Sequence, residues 1–239
     1  MAIFEAKEQV RYLDLDKNNK MTNKAIINLM QDVAGAHSEK LQDGLNYKDK
    51  NHTAWILLNW KVEVFSRPKY LDFVTVKTWP RKLDKCCCYR DFELYSNEKL
   101  VAKATSKWVL INSELGKISK VSQELLDKYA SVDTSVFDQE IEEKLKEPGN
   151  SKLSFEIEIG RTRIDTNNHL NNVYYLDYAI ESLPEEVYEN NEFNNLEIMY
   201  KKASRYKDKI MCYYKEEDGK HFVTIKDNQK NIHAIVKMW

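Results

Sequence analysis

Apolar residues recur at three- and four-residue steps in two segments of the chain, and this spacing predicts two helices. The first helix runs from about Asn23 to Leu41, and the second from about Asn172 to Leu183. The repeated positions of the first helix are Ile26, Met30, Val33, His37 and Leu41. Asn23 and Asn172 stand where an N-cap belongs, because a short amide oxygen can accept hydrogen bonds from the first-turn N–H groups. Gly44 after the first helix and Pro184 after the second are typical of helix ends.

Segments rich in Val, Trp, Tyr, Thr and Phe alternate with these helices and predict strands. One short strand precedes each helix, at Gln9–Asp14 and at Ser154–Gly160. Longer strands follow the helices at 54–65, 73–79, 86–95 and 100–111, and then at 196–202, 209–215, 221–226 and 232–239. A long helix followed by antiparallel strands predicts an α+β unit in which the helix lies on a curved sheet.

The two halves of the chain also resemble each other in sequence, which predicts a duplicated unit. The segment 16–23, Asp-Lys-Asn-Asn-Lys-Met-Thr-Asn, matches the segment 165–172, Asp-Thr-Asn-Asn-His-Leu-Asn-Asn. Further along, 70–74 matches 206–210, and 97–101 matches 228–232, in the same order. We therefore predict an N-terminal domain over residues 1–131, a linker over 132–152 and a C-terminal domain over 153–239. The linker is acidic and ends in Pro148-Gly149-Asn150, with one helical stretch expected around Gln139–Lys146.

Composition narrows the class of protein. The 239 residues include 37 basic and 38 acidic side chains, so the net charge of −1 does not favour a nucleic-acid binder. A mean hydropathy of −0.65 and strand-sized apolar runs predict no membrane span, and the first 25 residues lack a signal-peptide core, so we expect a cytoplasmic protein. The cysteines occur as Cys86-Cys87-Cys88 and Cys212, a spacing that does not form a zinc set. We expect reduced thiols, no metal and no cofactor.

Chemically versatile side chains concentrate just before the second helix. Asp165, Asn167 and His169 place a carboxylate, an amide and an imidazole near a helix N-terminus, where developing negative charge is stabilised. A purely structural alternative is an Asn-rich turn whose side chains cap the helix. The repeat favours chemistry, because the first copy has Lys20 where the second has His169. Of the two copies, only the second therefore carries a group that transfers protons near neutral pH.

The segment Asp165-x-Asn167-x-His169-x-Asn171-Asn172, followed by Tyr175 and Glu181-Ser182-Leu183-Pro184, resembles the active-site segment of acyl-acyl-carrier-protein thioesterases. The resemblance extends over nearly the whole chain. Its other landmarks are Val10-Arg11-Tyr12, 36–41, 55–60, Thr78-Trp79-Pro80, Arg90-Asp91-Phe92 and 108–111. The resemblance implies two tandem hotdog domains and hydrolysis of the thioester between a fatty acyl chain and the phosphopantetheine arm of acyl carrier protein. From the charge balance and the hydropathy we expect no nucleic-acid or membrane partner, and we expect a monomer or a homodimer.

The family's catalytic Asp, Asn and His correspond to Asp165, Asn167 and His169. His169 and Asp165 would together position and deprotonate a water molecule, or Asp165 would attack directly through a transient anhydride. The sequence leaves both routes open. Asn167 would orient the carboxylate or donate to the thioester oxygen, and the first-turn amides of the second helix would stabilise the oxyanion.

One departure from the family pattern concerns a glutamate, followed by a cysteine or small residue, on the strand after the second helix. Alignment through Tyr200-Lys201-Lys202 puts Ala203 and Ser204 at these two positions, unless Glu197 takes the place of the glutamate. The absent glutamate favours one alternative, a hotdog protein that binds acyl thioesters without cleaving them. A hotdog hydroxyacyl dehydratase is another, but it would split its His and Asp between a loop and the middle of the central helix.

Two further groups of residues have expected roles in substrate binding. Met30, Val33 and Ala34 on the first helix are candidate walls for the acyl tail. The basic run Lys201, Lys202, Arg205, Lys207 and Lys209 is either a solvated strand edge or a docking surface for an acidic carrier protein. His37 lies on an apolar helix face and is predicted to be a packed core residue. His52 is expected in solvent, and His221 and His233 lie on late strands without an evident partner.

Overall fold

The computed structural model describes residues 3–239, apart from the side chain of Asp84. The chain divides into two compact units, which comprise Met1–Leu58 with Val62–Ile141 and Asn59–Lys61 with Glu142–Trp239. Each unit combines a helix with an antiparallel sheet, which confirms the predicted α+β class. Within the described residues, no helix has both the length and the apolar character that a membrane crossing requires.

The first unit is built around one long helix. Its elements are β1 Phe4–Gln9, α1 Asn23–Lys40, α2 Lys48–Asn51, β2 Thr53–Val64, β3 Phe73–Asp84, β4 Cys87–Ser96, β5 Lys99–Asn112 and α3 Gln123–Tyr129. The strand order is β1-β3-β4-β5-β2, and α1 packs against β3 and β1. Ile26 and Met30 of α1 are fully buried, as are Val76 of β3 and Phe92 of β4, so the core lies between the helix and the sheet.

The second unit repeats this plan with a shorter helix. Its elements are β6 Lys152–Glu158, α4 Val173–Glu181, α5 Glu185–Asn190, β7 Asn195–Tyr200, β8 Lys209–Glu217, β9 Lys220–Asp227 and β10 Ile232–Met238. The strand order is β7-β10-β9-β8-β6, and α4 packs against β10 and β9. Tyr175 and Leu176 of α4 are buried together with Ile225 of β9 and Ala234 of β10.

Backbone hydrogen bonds confirm the duplication. Val10 N donates to Asp72 O over 3.0 Å in the first unit, and Ile159 N donates to Asp208 O over 3.0 Å in the second. The residue before each aspartate has a left-handed backbone, with φ of 68° at Leu71 and 69° at Lys207. Because these contacts depend on backbone geometry, the repeat extends beyond the matched letters of the sequence.

The predicted strand over Gln9–Asp14 is wrong. The strand β1 ends at Gln9, and Tyr12–Asp14 form one turn of 3-10 helix. The Asp14 carboxylate closes this turn by accepting from Arg11 N over 2.8 Å. A side chain that binds its own backbone competes with strand pairing, which the alternating pattern alone does not reveal.

The predicted N-caps are also corrected. Thr22, and not Asn23, caps α1, because its side-chain oxygen accepts from Ala25 N. Asn172 occupies the cap position of α4 but makes no capping hydrogen bond through its side chain. Asn171 takes that role, with Oδ1 accepting from Val173 N over 3.2 Å. Both cap residues therefore lie one position earlier than predicted.

The predicted helical stretch at Gln139–Lys146 is wrong as well, since this part of the described chain has no helical turn. Its acidic side chains are held by basic residues of the sheets. Glu140 Oε2 lies 2.6 Å from Arg81 Nη2 of β3, and Glu147, the residue directly after the stretch, has its Oε1 2.5 Å from Lys226 Nζ of β9. These tertiary ion pairs override the local helix propensity of a Glu- and Lys-rich segment.

Candidate active site

The residues Asp165, Asn167 and His169 lie in one tight loop before α4, and all three are half-buried. Asp165 Oδ1 accepts from Asn167 N over 2.8 Å and from His169 N over 3.2 Å. The loop closes through a hydrogen bond from Asp165 N to His169 O of 2.8 Å. Asn168 adopts a left-handed φ of 60°, which Asn tolerates better than most residues. The aspartate therefore has a structural function in addition to any chemistry.

Two further backbone contacts fix the end of this loop. Leu170 N donates to Ser204 O over 2.8 Å, and Asn171 N donates to Arg163 O over 3.0 Å. His169 thus sits between a fixed aspartate and a fixed leucine. Its position is set by the chain on both sides, which suits a side chain that has to meet a substrate.

The first-turn amides of α4 are already occupied. Val173 N donates to Asn171 Oδ1, Tyr174 N to Asn171 O over 3.0 Å, and Tyr175 N to Asn172 O over 3.3 Å. The expectation that these amides bind an oxyanion is therefore wrong for the three residues. Asn167 remains the candidate donor to the thioester oxygen.

The first unit contains the same loop with different chemistry. Asp16 Oδ1 accepts from Asn18 N over 2.8 Å and from Lys20 N over 2.9 Å, and Asn19 has a φ of 59°. Met21 N then donates to Pro68 O over 2.9 Å, the counterpart of the contact between Leu170 and Ser204. The two loops share a backbone, and the imidazole belongs to the second alone.

A chain of four polar side chains, three of them buried, lies behind the second loop, and sequence reasoning did not connect its members. Tyr175 O–H donates to Ser204 Oγ over 3.0 Å, and Ser204 Oγ lies 2.6 Å from His233 Nδ1. His233 Nε2 lies 3.3 Å from Asp227 Oδ2, which also accepts from Lys202 Nζ over 2.8 Å. We refer to Tyr175, Ser204, His233 and Asp227 as the Tyr175–Asp227 chain. The first copy has Ile26 and Pro68 at the positions of Tyr175 and Ser204, and its Val101 occupies the same irregular position of a strand as His233.

The position of the absent glutamate is open to solvent. Ala203 is exposed on the loop after β7. Glu197 does not replace it, because this residue is buried within β7 and its Oε2 accepts from Lys237 Nζ over 2.7 Å on the paired strand β10. A carboxylate held in a cross-strand ion pair serves the sheet.

The basic run 201–209 lies on the loop between β7 and β8, and only Lys209 belongs to a strand. Lys201, Arg205 and Lys207 are exposed. Lys202 is engaged with Asp227, and Lys207 Nζ lies 5.5 Å from the centre of the Tyr206 ring. The run is therefore a loop surface rather than a strand edge.

The other histidines have structural surroundings. His37 is buried, as predicted, and its Nδ1 lies 3.1 Å from Arg90 Nη1 while Phe4 stacks on its ring. Burial and then the positive charge of Arg90 lower the pKa of His37 to about 4, so it is neutral at physiological pH. His221 is hydrogen-bonded to Tyr214, and the exposed His52 pairs with Glu114 at 2.8 Å.

Met30, Val33 and Ala34 are buried on α1 of the first unit, with exposed fractions of 0%, 3% and 5%. They belong to the core that α1 forms with its sheet. Their burial fits a wall of an apolar space, although it fits ordinary core packing equally well.

Two family models cover the chain. The model for the acyl-ACP thioesterase N-terminal domain matches residues 2–129, and the model for the C-terminal domain matches residues 128–238. The chain belongs to the acyl-ACP thioesterase family. The division between the two models falls in the region where the sequence repeat changes from its first to its second copy.

Two curated relatives of this chain are plant proteins. The oleoyl-acyl carrier protein thioesterase of Coriandrum sativum is 26% identical over 226 residues, covering 87% of this chain and 61% of the relative. Oleoyl-acyl carrier protein thioesterase 1 of Arabidopsis thaliana is 25% identical, covering 87% of this chain and 62% of the relative. The chain thus spans about three fifths of the length of these relatives.

Solved structures agree in fold over the whole chain. An acyl-ACP thioesterase from Bacteroides thetaiotaomicron superposes with a TM-score of 0.89 at 19% identity, covering 99% of this chain and 97% of the other. The 12:0-ACP thioesterase from Umbellularia californica gives a TM-score of 0.88 at 18% identity, covering 100% and 96%. These similarities confirm the tandem hotdog fold.

Proposed function

We propose that this protein hydrolyses the thioester of fatty acyl-acyl carrier protein and releases a free fatty acid. The observation that carries the proposal is the loop of Asp165, Asn167 and His169 in a chain of this family. The loop ties the backbone N–H of His169 to the Asp165 carboxylate and leaves the His169 side chain half-exposed, and the otherwise equivalent loop of the first unit has no imidazole. Names of the curated plant relatives, which are oleoyl-acyl carrier protein thioesterases, support the same substrate class.

In this mechanism His169 acts as a general base on water. The water oxygen attacks the thioester carbon, its proton passes to the imidazole, and the carbon–sulfur bond breaks. The imidazolium then returns the proton to the departing phosphopantetheine sulfur. Asn167 donates to the thioester oxygen as negative charge develops on it.

The contacts of Asp165 favour water activation over direct attack. Two amides hold Oδ1, which ties this oxygen to the loop backbone. Among the described residues no hydrogen bond to Oδ2 is present, so Oδ2 is the oxygen that orients the water or the imidazole. A nucleophilic role would require the tethered carboxylate to move towards the carbonyl carbon.

The acyl tail is proposed to lie beside α1 of the first unit, along Met30, Val33 and Ala34. An acidic carrier protein would dock on the exposed basic loop 201–209. Replacing Met30 with Ala should then change the chain length of the released acids, and an unchanged product profile would argue against this wall.

A cytoplasmic location remains a prediction from the sequence.

The test is release of free thiol from purified acyl-acyl carrier protein, with the His169→Ala variant as control. Wild-type release that depends on His169 supports hydrolysis. Because Ala203 replaces the family's glutamate, tight binding of acyl-acyl carrier protein without thiol release would instead favour the acyl-binding alternative. Conversion of a hydroxyacyl substrate to an unsaturated one would favour the dehydratase.

A further inference from the structure

One order of donors satisfies the contacts of the Tyr175–Asp227 chain, in which Tyr175 O–H also lies 3.4 Å from Lys202 O. Ser204 N donates to Tyr175 Oη over 3.0 Å, and Tyr175 in turn donates its proton to Ser204 Oγ. The serine proton then points to His233 Nδ1, and the proton on His233 Nε2 points to Asp227. Lys202 and then Asn231 hold the pKa of Asp227 well below its ordinary value, so the chain ends on a charged carboxylate.

These side chains are closed to substrate. Ser204 has an exposed fraction of 0%, and Tyr175 and His233 are each 2% exposed. A serine, a histidine and an aspartate in contact have the composition of a nucleophilic triad. However, a nucleophile has to reach a carbonyl carbon, and the buried Ser204 hydroxyl is already engaged on both sides. Its surroundings fit a structural tether rather than an attacking group.

The Tyr175–Asp227 chain is coupled through backbone atoms to the loop that carries His169. Ser204 O accepts from Leu170 N, the residue directly after His169. Tyr175 lies on the first turn of α4, which begins where the loop ends. His233 O accepts from Lys201 N over 2.8 Å and from Lys202 N over 3.2 Å, which fixes the segment that carries Ser204. Movement of Ser204 would therefore move the hydrogen-bond acceptor that holds the loop.

The first unit provides an internal comparison. Val101 O accepts from Phe65 N over 2.8 Å and from Ser66 N over 3.2 Å, as His233 O does in the second unit. The loop contact from Met21 to Pro68 is also present. Ile26, Pro68 and Val101 nevertheless replace the tyrosine, serine and histidine, so the same backbone forms without a polar chain. The fold alone does not require these buried polar groups, whose desolvation costs free energy unless they are paired.

We propose that Tyr175, Ser204 and His233 are positioning residues that hold Leu170, and through it His169, in the geometry for hydrolysis. This inference rests on the proposed function. The hydrogen-bonded chain fixes the Ser204 carbonyl more tightly than apolar packing does in the first unit. The difference matters in the second unit alone, because a small displacement of a catalytic group lowers the rate strongly.

The experiment uses Tyr175→Phe and Ser204→Ala, each of which removes one oxygen atom. The matched control is Tyr178→Phe, since Tyr178 is a buried tyrosine of the same helix whose hydroxyl has no hydrogen-bond partner among the described residues. We expect kcat for acyl-acyl carrier protein to fall about tenfold in the first two variants, with KM nearly unchanged, because only the orientation of His169 is altered. His233→Asn keeps an acceptor near Ser204 and should retain more activity than His233→Val.

Hydrogen exchange of the Leu170 amide and the imidazole NMR signals of His169 provide readouts that do not depend on turnover. Exchange should quicken and the His169 signals should shift in Tyr175→Phe and Ser204→Ala, but not in Tyr178→Phe. If the wild type releases no thiol, the proposed function fails while these readouts still test the tether. Unchanged exchange, unchanged signals and unchanged kcat in both variants would overturn the inference. Complete loss of turnover in Ser204→Ala with normal turnover in Tyr175→Phe would overturn it too, in favour of a nucleophilic serine.

Discussion

The loops at Asp16–Met21 and Asp165–Leu170 have almost the same backbone and different chemical capacity. In each, one carboxylate oxygen accepts two amide protons and an asparagine takes the left-handed conformation. The difference in proton-transfer chemistry lies in Lys20 against His169 and in the residues behind the loop. A protonated lysine cannot take a proton from water, whereas an imidazole can. The Asp-x-Asn-Asn segment therefore forms a backbone frame, and the chemical capacity of each loop depends on the side chain that the frame holds.

The largest expected effect separates the two loops directly. Asp165→Asn or His169→Ala should lower turnover at least about a hundredfold, because proton transfer alone is worth roughly that much. Asp16→Asn and Lys20→Ala are the matched controls in the first unit and should leave turnover per folded molecule largely intact. Thiol release and the melting temperature are measured for all four variants. Wild-type rates in both second-unit variants would end the assignment.

A second prediction concerns His37, the buried histidine of the first unit. Its pKa of about 4 lies below the value of about 6.5 in an unfolded chain, so the folded protein binds fewer protons between these values. The contribution of neutral His37 to the free energy of unfolding should therefore be fully present above about pH 6.5. It should be lost as the pH drops towards 4, which lowers the free energy of unfolding by on the order of 3 kcal/mol. His37→Gln should lack this part of the slope in denaturant titrations. An identical pH dependence in both proteins would contradict it.

The third prediction tests the structural function of the frame. Asp16→Ala removes an acceptor of two amide protons and should lower the free energy of unfolding by about 1–2 kcal/mol. Asn18→Ala should have a smaller effect, because the hydrogen bond from Asn18 to Asp16 uses its backbone N–H. Urea unfolding and thiol release are measured together. A fully folded but inactive Asp16→Ala protein would show that the first loop takes part in catalysis.

The smallest expected effect concerns docking of the carrier protein. Lys202 is paired with Asp227, so Lys201 and Arg205 are the better choice for charge reversal. Lys201→Glu with Arg205→Glu should raise KM for acyl-acyl carrier protein roughly fivefold at low salt, since exposed charge pairs contribute about 0.5 kcal/mol each. The effect should shrink as salt is added. The control is Lys99→Glu with Lys120→Glu, which makes the same change of charge at two exposed lysines outside the loop 201–209. An equal change of KM for a small thioester would exclude docking at this loop.

Much of the fold could be predicted from the sequence, because the period of the apolar positions and the internal repeat both reflect the backbone. The start of α1 at Asn23 and the two corresponding Asp-x-Asn-Asn segments were found in this way. The linker helix was mispredicted because Glu140 and Glu147 pair with Arg81 and Lys226, which are distant in sequence. His233 was missed for the same reason. Its partner Ser204 lies on another element, and no local pattern records their contact.

Asn19 and Asn168, the two left-handed asparagines, have a consequence for how such chains are recognised. A short signature that includes them reports backbone shape, and shape survives in a copy that has no imidazole. Searches that score this signature alone would therefore count two reactive centres in one molecule. Reliable diagnosis requires reading positions far downstream, at Ser204 and His233, together with His169. The two copies have therefore diverged less in the Asp-x-Asn-Asn segment than in the residues packed behind it.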